Sequence, residues 1–215
     1  MKLIFSLITI NLFICLNVQA LELKGKFEQG SFILGKTEPN AKVKVDERSI
    51  RVSKDGYFAF GLDRDRKNNV IIEINNNGKL KTFEKKVFKR KYKIQRIDGL
   101  PSKQVTPPPE VYERIKKDNI LIGKARSINT SYDFFKDNFI YPIDKYIITG
   151  VYGSQRILNG KPRRPHYGID FHAPEGTPVK AMMDGVVTLS QNNMYFTGGT
   201  IIFDHGHGIS TLYMH

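Results

Sequence analysis

The sequence predicts an all-β protein in which two β domains are joined by a short helical linker. Alternating or β-branched runs separated by turn residues recur from residue 21 to about residue 97, and again from residue 139 to residue 215. Between them lie three consecutive prolines, 107–109, a stiff and extended segment that suits a domain boundary. We therefore predict a β-sandwich module at 21–97, a linker at 98–138, and an antiparallel β domain at 139–215.

The first 20 residues, MKLIFSLITINLFICLNVQA, have the pattern of a secretory signal peptide. Lys2 supplies the positive charge, residues 3–18 are mostly apolar, and Ala20 offers the small residue at which a signal peptidase cleaves. The alternative is an uncleaved anchor, since the apolar run is near the lower limit for a spanning helix. The only cysteine, Cys15, would leave with the signal. We expect an exported protein of the periplasm or cell envelope that lacks disulfides and is not stably inserted in the membrane.

The charge balance is basic. Lys and Arg number 34 against 21 Asp and Glu, a formal net charge of +13. For an exported chain, nucleic acid is not the expected partner, and anionic envelope polymers or membrane surfaces are. A solvated basic surface is the alternative, because the lysines are spread along the chain.

Four strand-like runs mark the first domain. They are SFILGK, AKVKVDE, GYFAFGL and VIIEI, bounded by turn sequences such as Asp55-Gly56 and Asn75-Asn76-Asn77-Gly78. The segments EPNAKVKVD and KDGYFAFGL resemble the immunoglobulin-like modules of bacterial surface proteins. No histidine precedes His166 in the chain, so we interpret this domain as a spacer or binding module.

The linker and second domain follow. A helix is predicted to begin near Pro109 or Glu110, with acidic residues early and basic residues later, as the helix dipole favours. The strands predicted beyond it are FIYPI, YIITGVYG, PVKAMMDGVVTLS, GTIIFDHG and GISTLYMH, and all five histidines lie in this domain.

The stretch RRPHYGIDFHAPEGTPV carries the candidate chemistry. Proline and glycine make it a poor helix, and as a strand it would place His166, Gly168, Asp170 and His172 on one face. Gly168 leaves a notch between an imidazole and a carboxylate, two groups that suit zinc. The alternative is a simple His–Asp hydrogen bond on a strand surface. Two ligands do not complete a catalytic zinc site, which needs three protein ligands and a water.

The segment HYGIDFHAPEGTPVKAMMDGVV resembles the core of the lysostaphin-type, or LytM-like, zinc metallopeptidases, which cut peptide bonds in bacterial peptidoglycan. Upstream, YPIDKYIITGVYGSQRILNG is similar to the entry of that domain, and downstream GGTIIFDHGHGISTLYMH is similar to its long hairpin ending in Y-x-H. The resemblance covers about 139–215. It implies a zinc ion held by His166 and Asp170, a catalytic acid/base or intermediate-stabilising role for His215, and a peptidoglycan peptide as substrate.

The sequence departs from the family pattern at the third ligand. In the family this ligand is the second histidine of an H-x-H motif beyond Y-x-H, whereas the sequence ends at His215. The domain is therefore interpreted as C-terminally incomplete. His205-Gly206-His207 is formally an H-x-H, but it lies in a glycine-rich turn and is not expected to bind metal. We interpret His172 as a site-edge or surface residue, and Glu175 as part of a turn rather than a base.

Three functions are compatible with these patterns. The first is a zinc endopeptidase of the cell wall, favoured because His166, Asp170 and His215 are present together. The second is a non-catalytic relative that binds the wall or activates another hydrolase, as the missing third ligand would suggest. The third is an adhesin-like protein defined by residues 21–97. We predict the endopeptidase for the complete protein, and little activity and weak zinc affinity for residues 21–215 alone.

Overall fold

The computed structural model describes residues 21–101 and 105–215. The predicted signal peptide with Cys15 lies outside these residues. Over the described part the chain is mostly β, which confirms the predicted class. No helix within 21–101 or 105–215 is long and apolar enough to cross a membrane.

Seven strands build the N-terminal module. They are β1 (Glu22–Lys24), β2 (Phe32–Lys36), β3 (Lys42–Val45), β4 (Arg48–Ile50), β5 (Tyr57–Gly61), β6 (Val70–Asn76) and β7 (Lys79–Lys85). They form two antiparallel sheets, β1-β2-β5 and β4-β3-β6-β7. All four predicted runs fall on strands, namely β2, β3, β5 and β6.

The two sheets share one core. Ile33 and Phe58 come from the first sheet, Val45 and Ile72 come from the second, and all four are at most 1% exposed. Alternation along each strand sends these side chains inward, as β2 shows with its alternately buried residues. The module is therefore a β-sandwich, and its likeness to immunoglobulin-like modules stays a prediction.

Beyond β7, the described residues include eight strands and one long helix. They are β8 (Ile94–Ile97), α1 (Tyr112–Arg126), β9 (Ile147–Gly150), β10 (Gln155–Leu158), β11 (Lys161–Pro162), β12 (Asp170–His172), β13 (Val186–Met194), β14 (Gly198–Gly206) and β15 (Ile209–Met214), with 3-10 turns at Pro109–Val111 and Phe134–Lys136. Strand β8 pairs in parallel with β10, so the chain leaving the module adds a strand to the second domain.

The helix predicted for the linker is present, and it packs on the second domain. Its buried Ala125 lies in one apolar cluster with Leu189 of β13 and Ile202 of β14. Lys124 and Arg126 occupy the last turn, where a cation favours the helix dipole. The helix thus contributes to the core of the C-terminal part of the chain.

The predicted strand FIYPI is wrong, because residues 139–143 belong to no strand. Ile140 N donates to Met182 O and Lys180 N donates to Pro142 O, so the segment does bond to a neighbour. Pro142 has no N–H to continue a ladder. Of the run PVKAMMDGVVTLS, only the part from Val186 onward lies in a strand, β13.

Strands β13, β14 and β15 form one antiparallel sheet, and β9 and β12 form a separate two-stranded pair. The candidate residues are thus divided between elements. Asp170 begins β12, His166 precedes it outside any strand, and His215 follows β15.

Candidate metal site

The segment carrying His166 and Asp170 is not helical, as predicted, and only its end lies in a strand, β12. His166 N donates to Ser154 O at 2.9 Å, and Gly153 N donates to His166 O at 2.7 Å. Both backbone groups of His166 are therefore bonded to one turn, 153–154. Four residues later, Asp170 pairs with Gly150 of β9. These two contacts fix both ends of the four-residue spacing.

The structure brings His166 and Asp170 together. His166 Nε2 lies 3.0 Å from Asp170 Oδ1, and Arg156 Nη2 lies 3.1 Å from Asp170 Oδ2. The His166 side chain is 8% exposed, whereas that of Asp170 is 42% exposed. One carboxylate oxygen of Asp170 thus contacts the His166 imidazole, and the other contacts the Arg156 guanidinium. The carboxylate remains partly accessible to solvent.

Gly150 gives this carboxylate its room, and Gly168 lies beside the imidazole. A methyl group at Gly150 would overlap Asp170 Oδ2, and one at Gly168 would lie 3.5 Å from His166 Nε2. The notch predicted at Gly168 is therefore present beside the imidazole. Gly150 was not singled out from the sequence, since its requirement arises from the β9–β12 pairing.

These residues fit part of a zinc site. Two ligands at about 2.1 Å from a tetrahedral ion lie roughly 3.4 Å apart, close to the 3.0 Å between His166 Nε2 and Asp170 Oδ1. His166 Nδ1 is buried without a hydrogen-bond partner, so the partner that usually orients a ligating imidazole is not provided here. Within residues 21–101 and 105–215, no three His, Cys, Asp or Glu side chains are grouped to hold a metal.

The structure places His215 at the end of the long hairpin. His215 N donates to Thr197 O at 2.9 Å, and its ring lies near Gly198. In the described part of the chain no hydrogen bond or ion pair joins His215 to His166 or Asp170. Its catalytic role therefore stays a prediction.

The other histidines have local explanations. His205 is fully buried, its Nδ1–H bonds Asp184 O at 2.6 Å, and its Nε2 lies 2.8 Å from Thr211 Oγ1, which makes it a structural residue. His172 is exposed on β12. Among the described residues it joins no group of three potential metal ligands.

The face opposite His166 is only partly packed. Tyr167 is 61% exposed and Ile169 is 49% exposed. The alternation of residue types predicted from the sequence is present, and the ring of Tyr152 packs against Tyr167 while that of Tyr146 packs against Phe171.

Arg156 is the residue that sequence reasoning missed. It lies in the segment YGSQR, which the family resemblance already marked as the domain entry. Its partner is 14 residues away, on another strand, and no local pattern signals that contact. Its side chain also contacts Gln95 of β8, with Nε donating to Oε1 at 3.4 Å.

We expect Gly150→Ala to weaken zinc binding at least tenfold, because the new methyl group must displace the Asp170 carboxylate from Arg156 and His166. Titration with zinc against a competing chelator measures this. Gly61→Ala is the matched control, since nothing lies within 4 Å of a methyl group added there. Equal zinc affinity in the two variants would contradict the role of Gly150.

The burial of His207 predicts that the stability of the folded protein depends on pH. Burial, and to a smaller extent the positive charge of Arg51, hold the pKa of His207 below its usual 6.5. The buried Nδ1 of His207 has no hydrogen-bond partner. The unfolded chain therefore binds the proton at higher pH than the folded chain. Stability from neutral His207 is full above about pH 6.5, and it decreases as the pH falls toward the lower folded pKa.

His207→Asn is expected to flatten this acid-side loss of stability. Asparagine tolerates the left-handed backbone, φ 54°, at this position. Urea unfolding from pH 8 down to pH 5 measures the slope. An unchanged slope in the variant would exclude His207 as its source.

Comparisons with known proteins confirm the family resemblance predicted from the sequence. Residues 164–215 match the model of Peptidase family M23. A DD-carboxypeptidase/endopeptidase, Mpg, from Neisseria meningitidis is 44% identical over 52 residues, which cover 24% of this chain and 12% of Mpg. The peptidoglycan DD-endopeptidase ShyA from Vibrio cholerae is 38% identical over 77 residues, 35% of this chain and 18% of ShyA. The matched segments thus span less than a fifth of these relatives.

The fold is shared more widely. A crystal structure described as a peptidase M23 from Pseudomonas aeruginosa superposes with a TM-score of 0.59 and 20% identity. The superposition covers 88% of this chain and 74% of the Pseudomonas aeruginosa chain, so it includes residues of the N-terminal module.

Proposed function

We propose that the complete protein is a zinc-dependent endopeptidase that hydrolyses peptide cross-links of peptidoglycan in the cell envelope. The observation that carries the proposal is the His166–Asp170 pair, 3.0 Å apart, inside the segment that matches the M23 family. The printed names of Mpg and ShyA, both endopeptidases, support the reaction and the substrate class. The predicted signal peptide supports the location.

His166 and Asp170 would hold the ion. Bound zinc lowers the pKa of a coordinated water toward about 7 and polarises a carbonyl group. Arg156 holds Asp170 Oδ2 and so orients Oδ1 toward His166 Nε2. Gly150 and Gly168 keep the space beside both ligands free of side chains. We also propose the domain division made from the sequence, with α1 packed on the peptidase domain.

The decisive experiment is digestion of purified peptidoglycan by the protein isolated from its own cells. Its intact mass is recorded, so that every residue present in life is included. We expect new amino termini in the digested peptides, loss of cleavage with a chelator, and recovery with zinc. Zinc-loaded protein that releases no fragments would contradict the proposal.

A second function is favoured by one observation, the pair of ligands without a third among the described residues. In this case the protein would bind the wall, or activate another hydrolase, without cleaving. Co-sedimentation with peptidoglycan together with undetectable zinc would identify it.

His215→Ala is expected to leave zinc affinity unchanged and to slow turnover by about 10²- to 10⁴-fold, the usual contribution of a general acid or base. Zinc titration and the peptide-release assay measure the two effects separately. Normal turnover would remove His215 from the mechanism.

A further inference from the structure

The N-terminal module touches the turn that holds His166. Arg64, which follows β5, donates from Nε to Gly153 O at 2.7 Å across 89 residues of sequence. The same turn bonds both backbone groups of His166, through Gly153 N and Ser154 O. A short series of hydrogen bonds therefore runs from the module to the candidate zinc ligand.

Arg64 is itself firmly held. Its guanidinium lies 4.3 Å from the centre of the Tyr92 ring, and Tyr92 OH donates to Arg64 O at 3.0 Å. Its Nη1 also lies 2.6 Å from Asp65 Oδ1, and its side chain is only 11% exposed. A cation on an aromatic face gains strength when it is shielded from water. Arg64 thus presents Nε in one orientation.

The contact is also close-packed. Gly153, at φ +86°, lies so near Tyr92 that a methyl group would overlap the ring, and Gly30, at φ +78°, meets Tyr152 in the same way. Only glycine allows both this backbone conformation and this approach. Beside the contact, Gln155 N donates to Lys93 O and β8 pairs with β10. The turn 152–154 therefore has little freedom while the module is in place.

We propose that Arg64 and Tyr92 are positioning residues for His166, so that the N-terminal module is a structural part of the metal site and more than a spacer. A ligand whose backbone is already fixed loses less conformational freedom when it binds a metal. The consequence for zinc rests on the proposed function, whereas the mechanical link from Arg64 to His166 does not.

The test compares Arg64→Ala with Arg48→Ala in the full chain. Arg48 lines the same cleft of about 650 Å³ between the module and the second domain, so the control removes an equal charge nearby. Without added metal, we expect the amides of Gly153 and His166 to exchange hydrogen about tenfold faster in Arg64→Ala, as loss of one anchoring hydrogen bond predicts. The core amide of Ile72 should keep its rate, and the His166 imidazole ¹H–¹⁵N signals should shift. Arg48→Ala should change none of these.

Zinc affinity is the second readout. We expect about tenfold weaker binding in Arg64→Ala and no change in Arg48→Ala. Unchanged exchange at His166, or faster exchange throughout the module, would overturn the inference, as would unchanged zinc affinity. If the unaltered protein binds no zinc, the proposed function fails, and selective exchange at His166 would still support the link. If Arg64→Ala does not fold, Tyr92→Phe removes only the hydroxyl that holds Arg64, and it must give a smaller increase at the same amides.

Discussion

Asp170→Ala is expected to abolish zinc binding, with a loss of affinity beyond about 100-fold, and with it all peptidoglycan cleavage. Loss of a partner outside the ligand set already costs 10- to 100-fold, and Asp170 would be a direct ligand. The variant would also leave Arg156 Nη2 without the carboxylate that lies 3.1 Å away. Metal content after dialysis, followed by zinc titration, measures the effect.

Two further variants sharpen this prediction. His166→Ala should have the same effect, because the imidazole is the other member of the pair. His172→Ala is the matched control, since this exposed histidine joins no group of potential metal ligands among the described residues. Zinc retained by either ligand variant would refute the assignment, and zinc lost from His172→Ala would mean that the ligand set is different.

The pairing of His166 with Asp170 could be predicted because it depends on local alternation, which places residues four apart on one face. The pairing of β12 with β9 could not. The bulge between Asp170 and Phe171 depends on partners 20 or more residues away, and such partners leave no mark in the periodicity of the segment itself.

The N-terminal strands were predictable for a similar reason. Runs such as GYFAFGL alternate and end at turn residues, so the sequence contains both the strand and its limits. FIYPI has the composition of a strand, yet Pro142 cannot donate to a ladder, and the segment stays irregular. Long-range contacts, such as Arg64 to Gly153 and Arg156 to Asp170, follow only from the assembled fold.

Phe58→Ala is expected to lower the free energy of unfolding by about 3–5 kcal/mol. Phe58 is fully buried between the two sheets of the module, with its ring beside Phe60. Removing it leaves a cavity that the surrounding β-strands can fill only in part. Because a domain of this kind is stable by about 5–15 kcal/mol, the variant should lose a large share of that stability. Urea denaturation followed by circular dichroism measures the change.

On the neighbouring strand, Gly35 faces this cavity and has no side chain that could fill it. A methyl group at Gly35 would overlap the Phe58 ring, so the ring occupies the space that a side chain at 35 would need. Gly35→Ala alone should therefore destabilise the module by about 1–3 kcal/mol through overpacking, and it should cost less when combined with Phe58→Ala. Ile71→Ala is the control, since Ile71 on β6 is 44% exposed. It should lower the free energy of unfolding far less than Phe58→Ala does. Strict additivity of Gly35→Ala and Phe58→Ala would show that the two residues do not share one space.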